Sequence, residues 1–261
     1  IHGVAYISGD LRGSRARKAK LLEGLLRRAD PVEAKYLVKV IYGEVRHGVN
    51  EGIMLDGIAR STGIKARQVR RANQLWGDLG EVALVALRDG AQGLSQASLR
   101  LFRPVKPMLA QTAEEMADAM ETLGGRLALE YKLDGARVQI HRRGDEVRIY
   151  SRQLSDVTES LPDVVAEVRE KMATQEAIVE GEALAVDLEG RPLPFQHLMR
   201  RFRRVHDIAE TVAEIPVLLY LFDALSVDGR SLVDEPNQAR WAALERAAGE
   251  LRLVERMIPG T

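Results

Sequence analysis

The feature that most limits this chain is a change of hydrophobic period partway along it. Through the first hundred residues apolar side chains recur at helical spacing, and beyond residue 125 they alternate as in strands. "LFRPVKPMLAQTA" (101–113) lies between the two regimes, and its Pro104 and Pro107 favour an extended linker. Formal charge changes sign at the same place. Residues 1–106 hold 19 Lys+Arg against 10 Asp+Glu, net +9, and residues 107–261 hold 19 against 28, net −9. A basic all-α portion followed by an acidic α+β portion is therefore expected, with the boundary near residue 106.

The helices announce their ends. "SRARKAKLLEGLLRRA" (14–29) opens on Ser14, and "DPVEAKYLVKVIYGEVRHG" (30–48) opens on an Asp-Pro start and closes at Gly48. "NEGIMLDGIARSTG" (50–63), "KARQVRRANQLWG" (65–77) and "DLGEVALVALRDG" (78–90) each close on a glycine. In the second portion "LALEYKL" and "ARVQIHRRG" read as strands about Asp134-Gly135, a hairpin signal, and "EVRIYSR" follows through Gly144-Asp145. Further strands are expected over 177–187, 216–229 and from 252, with helices over 112–122, 162–173 and 235–250.

With no cysteine among 261 residues, disulfides and thiolate metal sites are excluded. No apolar run reaches the roughly 18–20 residues of a membrane span. The basic portion suits a polyanion as readily as a solvated helix surface.

Chemistry concentrates around Lys132, which precedes Asp134-Gly135 and Arg137. A lysine amine is a nucleophile only when neutral, and burial or neighbouring cations favour that form. Arg137 offers a planar fork for phosphate or carboxylate, and Asp134 could hold the turn or orient the lysine. Arg152 ends the third strand. Glu180 and Glu182 sit two apart, so they share a strand face and repel unless a cation or hydroxyl lies between them. Phe222 and Asp223 interrupt an apolar strand; alone, the first reads as core and the second as a loop-capping carboxylate.

Several stretches together resemble ATP-dependent DNA ligases, within the covalent nucleotidyltransferase superfamily. "EYKLDGARVQIHRRGDEVRIYSR" is similar to motif I of that family, "VEGEALAVD" to motif III and "LLYLFDALSVDGRSL" to motif IIIa. "RPVKPMLAQ" resembles the linker entering the nucleotidyltransferase domain, and "PLPFQHLMRR" a segment between motifs III and IIIa. "EAKYLVKVIYGEVRHGVNEG" resembles the N-terminal DNA-binding domain. The resemblance implies a helical DNA-binding domain over 1–106 and an antiparallel-sheet-rich, ATP-grasp-like adenylation domain over 107–261.

For the matching positions it implies that Lys132 attacks the α-phosphate of ATP and carries AMP. Glu130 would read the adenine edge, Arg137 the ribose or its phosphate, and Arg152 would help hold the nucleotide. Glu182 would meet the ribose hydroxyl or the metal shell, and Phe222 would stack on adenine. Gly135 and Asp134 support the lysine, and Mg²⁺ would bridge phosphate oxygens. The implied partner is nicked double-stranded DNA, bound by a monomer with no membrane involved, and the place would be the cytoplasm (nucleoid) if the source is prokaryotic.

Arg46, His47, Lys65, Arg67, Arg70 and Arg71 are the candidate phosphate contacts, aided by helix N-termini near Gly48 and Gly63. "ARSTGIKARQVRRA" also resembles a helix-turn-helix turn. The family's later Glu-Gly-x-x-x-Lys motif, its paired lysines and its OB-fold domain are not present, so an incomplete enzyme is expected. The alternatives are an RNA ligase or capping-type guanylyltransferase, which the basic helical portion disfavours, and a non-catalytic DNA-binding protein that retains a degenerate nucleotidyltransferase fold. An NAD-dependent ligase would need a different N-terminal region.

Overall fold

A computed structural model describes residues 14–42, 50–108, 110–124, 127–203 and 208–258. They form two compact units that divide between Met54 and Leu55. In the first, α1 (Ser14–Leu26) is followed by α2 (Pro31–Tyr42). Asp30 Oδ1 accepts from the amides of Val32 and Glu33, and Glu33 accepts in return from the Asp30 amide. This reciprocal cap explains why the chain re-enters a helix after only a short turn. The predicted closure at Gly48 lies outside the described residues.

The second unit holds two hydrophobic cores. The smaller gathers Leu55, Ile58, Val69, Ala72, Trp76, Val82 and Leu94 from α3 (Glu51–Thr62), α4 (Ala66–Trp76) and α5 (Leu79–Ser95). α3 and α4 end at the expected glycine stops, whereas α5 runs past the stop expected at Gly90 as far as Ser95. Gly63 and Gly77 both have φ of 68°, and the helical path of α5 breaks at Gly90, φ 64°, before resuming.

The larger core lies against a mixed sheet. β2 (Ala136–Arg143), β3 (Glu146–Ser151), β4 (Glu176–Ala185), β5 (Val217–Val227) and β6 (Arg230–Ser231) are arranged in the antiparallel order β3-β2-β4-β5-β6, and β7 (Arg252–Leu253) adds in parallel to β5. Val138, Gly181 and Leu221 fall in one cross-strand row and Ile140, Val179 and Ala224 in another. That face packs with α7 (Pro162–Lys171) and α10 (Asn237–Ala248) through Val164, Val168, Leu244 and Ala248. α6 (Met116–Thr122) precedes the sheet, and α8 (Phe195–Arg203) and α9 (Ile208–Glu214) lie between β4 and β5 in the chain.

Two buried arginines tie helices to this scaffold. Arg142 donates to the carbonyls of Val168, Arg169 and Met172, which close α7. Arg201 of α8 bonds both oxygens of Asp163 and the carbonyls of Ser160 and Ile215.

The hairpin expected at Gly144-Asp145 forms, with Arg143 opposite Glu146 and Gly144 at φ 57°. The one expected at Asp134-Gly135 does not. β1 (Leu129–Glu130) pairs instead with β8 (Arg256–Met257), so residues 131–135 run from one sheet to the other. Gly135 is demanded by proximity rather than by a turn. A Cβ there would stand 2.2 Å from the Ala183 carbonyl oxygen, so only glycine lets this segment press against β4. Among the described residues, no helix is long and apolar enough to cross a membrane.

Candidate functional site

The sheet face turned away from the larger core carries the chemistry. In register across β2, β4 and β5 stand Arg137, Glu182 and Tyr220, then Gln139, Glu180 and Asp223. Above this face opens a cleft of about 740 Å³, lined by Lys132, Asp134, Gly135, Arg137, Arg152 and Glu182 among others. Its apolar side comes from Phe195, Met199 and Phe202, one stripe of α8. The helical spacing of these three is legible in the sequence, but their place against the cleft is not.

Lys132 stands in the extended segment between β1 and β2. Its side chain is 86% exposed, and Nζ lies 3.2 Å from Asp134 Oδ1. Burial is therefore not what would free this amine for attack, contrary to one route expected from the sequence.

Arg137 is held on three sides. Its guanidinium donates to Glu180 Oε2 at 2.5 Å and to the Met108 carbonyl at 3.2 Å, and lies 5.3 Å from the centre of the Phe222 ring. Glu180, almost fully buried, also accepts from Gln139 Nε2 at 3.2 Å. Gln139 in turn brackets Val105, accepting from its amide at 2.8 Å and donating to its carbonyl at 3.2 Å. A polar relay thus runs from the linker through Gln139 and Glu180 to Arg137. The repulsion anticipated between Glu180 and Glu182 is relieved by Arg137, which pairs with one and lies close enough to stabilise the other.

Glu182 is half-buried, and burial pushes its carboxyl above the usual range. A hydrogen bond from the Gly135 backbone and the charges of Arg137 and Lys132 pull the other way. Arg152, just past the end of β3, is exposed at the cleft. Phe222 falls where the β4–β5 register shifts, between Leu221 opposite Gly181 and Asp223 opposite Glu180. This bulge breaks the strand's alternation and turns Phe222 toward Arg137. Neither Phe222 nor Glu130 lines the cleft itself. Asp223 is gripped at 2.8 and 2.9 Å by Arg240 of α10, a partner that sequence spacing could not identify. Glu130 lies opposite Arg256 in the β1–β8 pair, and burial raises its carboxyl above the ordinary value.

Among the described residues no group of three or more His, Cys, Asp or Glu could by itself hold a metal. Magnesium is commonly held by one or two carboxylates together with substrate phosphates, and Glu182 fits such a part.

Of the candidate DNA contacts, Arg46 and His47 lie outside the described residues. Arg70 is paired with Asp56 and Arg71 with Asp234, each at 2.6 Å. Lys65 and Arg67 are exposed at the start of α4, with no acidic partner among the described residues. The turn between α3 and α4, residues 63–65, joins the helices of the expected helix-turn-helix segment.

Comparison with known proteins adds to this geometry. Residues 107–256 match a family model described as ATP dependent DNA ligase domain, and residues 5–59 match one described as DNA ligase N terminus. A DNA ligase of Thermococcus fumicolans is 47% identical over 258 residues, covering 98% of this chain and 46% of that protein. One of Methanopyrus kandleri is 47% identical over 260 residues, again covering 98% and 46%. A probable DNA ligase of Anaeromyxobacter dehalogenans strain 2CP-1 is 45% identical over 255 residues, covering 98% of this chain and 49% of that protein. The chain therefore spans about half the length of the curated relatives it matches.

Proposed function

The chain belongs to the ATP-dependent DNA ligase family, and from that premise we propose that it carries the DNA-gripping and adenylate-forming part of a nick-sealing enzyme. The observation that supports this best is the gathering of Lys132, Arg137, Arg152 and Glu182 around one cleft. ATP is the substrate of the first step. The Lys132 amine attacks the α-phosphorus, a P–N bond forms, and the bond to the β-phosphate oxygen breaks. Pyrophosphate leaves with the electron pair, and Asp134, 3.2 Å from the amine, is placed to take the displaced proton toward solvent.

Arg137, held by Glu180, presents its fork to the ribose or its phosphate, and Arg152 adds charge at the cleft. Glu182 meets the ribose hydroxyl or the metal shell. Mg²⁺, when bound, would neutralise phosphate oxygens and the leaving pyrophosphate. Glu130 reads the adenine edge, and Phe222 supplies an aromatic face for the base. AMP then passes to the 5′-phosphate of a nick, and the 3′-hydroxyl displaces it to close the strand.

Residues 1–106 form the DNA-binding part in this reading, with Lys65 and Arg67 among its phosphate contacts. Such contacts grip any sequence, as nick sealing requires.

The test is transfer of label from α-labelled ATP with Mg²⁺ to the denatured protein. Label on wild type and none on Lys132→Ala is expected. Equal labelling of both, or none on wild type even in a longer chain, would overturn the nucleotidyl-transfer reading in favour of a DNA-binding role without catalysis.

A further inference from the structure

Arg256 is a confined cation beside a motif residue. The β1–β8 pair sets it opposite Glu130, and only 9% of its side chain is exposed. Its guanidinium lies 4.5 Å from the centre of the Trp241 ring, and its NH2 donates to Asn237 Oδ1 at 2.6 Å. Nε stands 3.7 Å from Glu130 Oε1, beyond hydrogen-bond reach. Nε and NH1 are both buried without a hydrogen-bond partner.

As a stabilising device this is poor. Buried donors left unmade cost free energy, and an apolar side chain resting on Trp241 would serve packing as well. What only a cation supplies here is positive charge beside Glu130, whose own side chain is 34% exposed. Burial pushes its carboxyl up, as does Asp223 from β5, itself clamped by Arg240 of α10. Arg256 from β8 is the group that opposes them.

The placement of the Glu130 carboxylate decides what it can read. A carboxylate only accepts hydrogen bonds. Adenine presents an exocyclic amine where guanine presents a carbonyl oxygen. We infer that Arg256 is a positioning residue which holds the Glu130 carboxylate in place as an acceptor and thereby sets the preference for ATP over GTP. This rests on the adenine-reading role proposed for Glu130. Trp241 and Asn237 aim the guanidinium, and the β1–β8 ladder supplies the alignment.

The test compares labelling of the protein by α-labelled ATP and α-labelled GTP across nucleotide concentrations. Arg256→Met narrows the ATP:GTP efficiency ratio by about tenfold or more, chiefly through the concentration dependence of labelling. Arg256→Lys restores most of the ratio. The pair Glu130→Gln with Arg256→Met does no worse than Glu130→Gln alone, because the two residues act as a unit. Asn237→Ala, which releases the guanidinium from the start of α10, narrows the ratio in the same sense and keeps the test open if Arg256→Met does not fold.

An Arg256→Met protein that folds and keeps the wild-type ratio overturns the inference. So does equal loss of labelling with both nucleotides, or an unchanged ratio in Asn237→Ala where Arg256→Met fails to fold. Wild type that takes no label from ATP removes the adenylation reading and this inference with it. Wild-type labelling with an unaltered ratio in the variants removes the inference alone.

Discussion

Glu180 shows how much a single residue's role depends on what lies across the sheet. Its spacing from Glu182 places both carboxylates on one face, but the sequence is silent on which meets a cation. The β2–β4 register puts Gln139 opposite Glu180 and Arg137 opposite Glu182, and the Arg137 side chain reaches diagonally to Glu180. Because Glu180 is almost fully buried and Arg137 mostly so, removing one charge strands the other. Glu180→Gln is expected to lower stability by about 2 kcal/mol and to weaken ATP use, while leaving the Lys132 amine in place. Urea unfolding and the ATP dependence of labelling measure the two effects. Unchanged values for both would show that Arg137 does not depend on Glu180.

At the scale of elements, the linker is more than a spacer. Residues 102–106 are fastened on both sides. The Phe102 amide donates to His141 Nδ1 at 2.9 Å, and Tyr150 donates to the Phe102 carbonyl at 2.9 Å. Arg103 bonds the Trp76 carbonyl and Glu81, and the Lys106 amide reaches the Gln74 carbonyl. Since His141 Nδ1 accepts an amide proton, its own proton sits on Nε2 and points to Gln139 Oε1, 2.9 Å away.

Burial pushes this imidazole down to about 3. The unfolded chain, with a histidine near pH 6.5, therefore binds a proton that the folded one refuses between about pH 6.5 and pH 3. Stability contributed by neutral His141 is complete above pH 6.5 and falls as pH drops, by about 2 kcal/mol at pH 5. Unfolding midpoints at pH 7 and pH 5 should separate more in wild type than in His141→Gln. Parallel losses in the two proteins would count against this clasp as the source. The aromatic and polar residues of β2 and β3 are visible in the sequence, but their grip on a linker 34 to 48 positions earlier is not.

For the whole molecule, the divided charge carries the functional prediction. The net +9 of residues 1–106 matters for DNA only through cations free to meet phosphate. Arg70 and Arg71 already have acidic partners, whereas Lys65 and Arg67 stand exposed at the start of α4. Replacing Lys65 and Arg67 together by alanine should weaken binding to nicked duplex alike for every sequence and reduce the salt slope by about 0.9 per lost phosphate contact. Titration at several salt concentrations measures this, and an unaltered slope would place the DNA elsewhere.

The sequence by itself determined many of the elements and their punctuation, though not α8, α9 or β6. Asp30 caps α2, Gly63 and Gly77 close helices, and Gly144-Asp145 turns β2 into β3, because each of these acts through neighbours a few residues away. It also placed Lys132, Arg137, Arg152 and Glu182 in order along motifs that the fold brings to one cleft. Tertiary structure alone decided the pairings between distant segments. β1 meets β8 rather than β2, Gly135 serves a close approach to β4, and Glu180, Asp223 and Glu130 each face an arginine that local spacing does not reveal. The reason is physical. Turns and caps are settled by backbone geometry within one turn of chain, whereas strand register and buried charge partners are settled by which distant surfaces exclude water together.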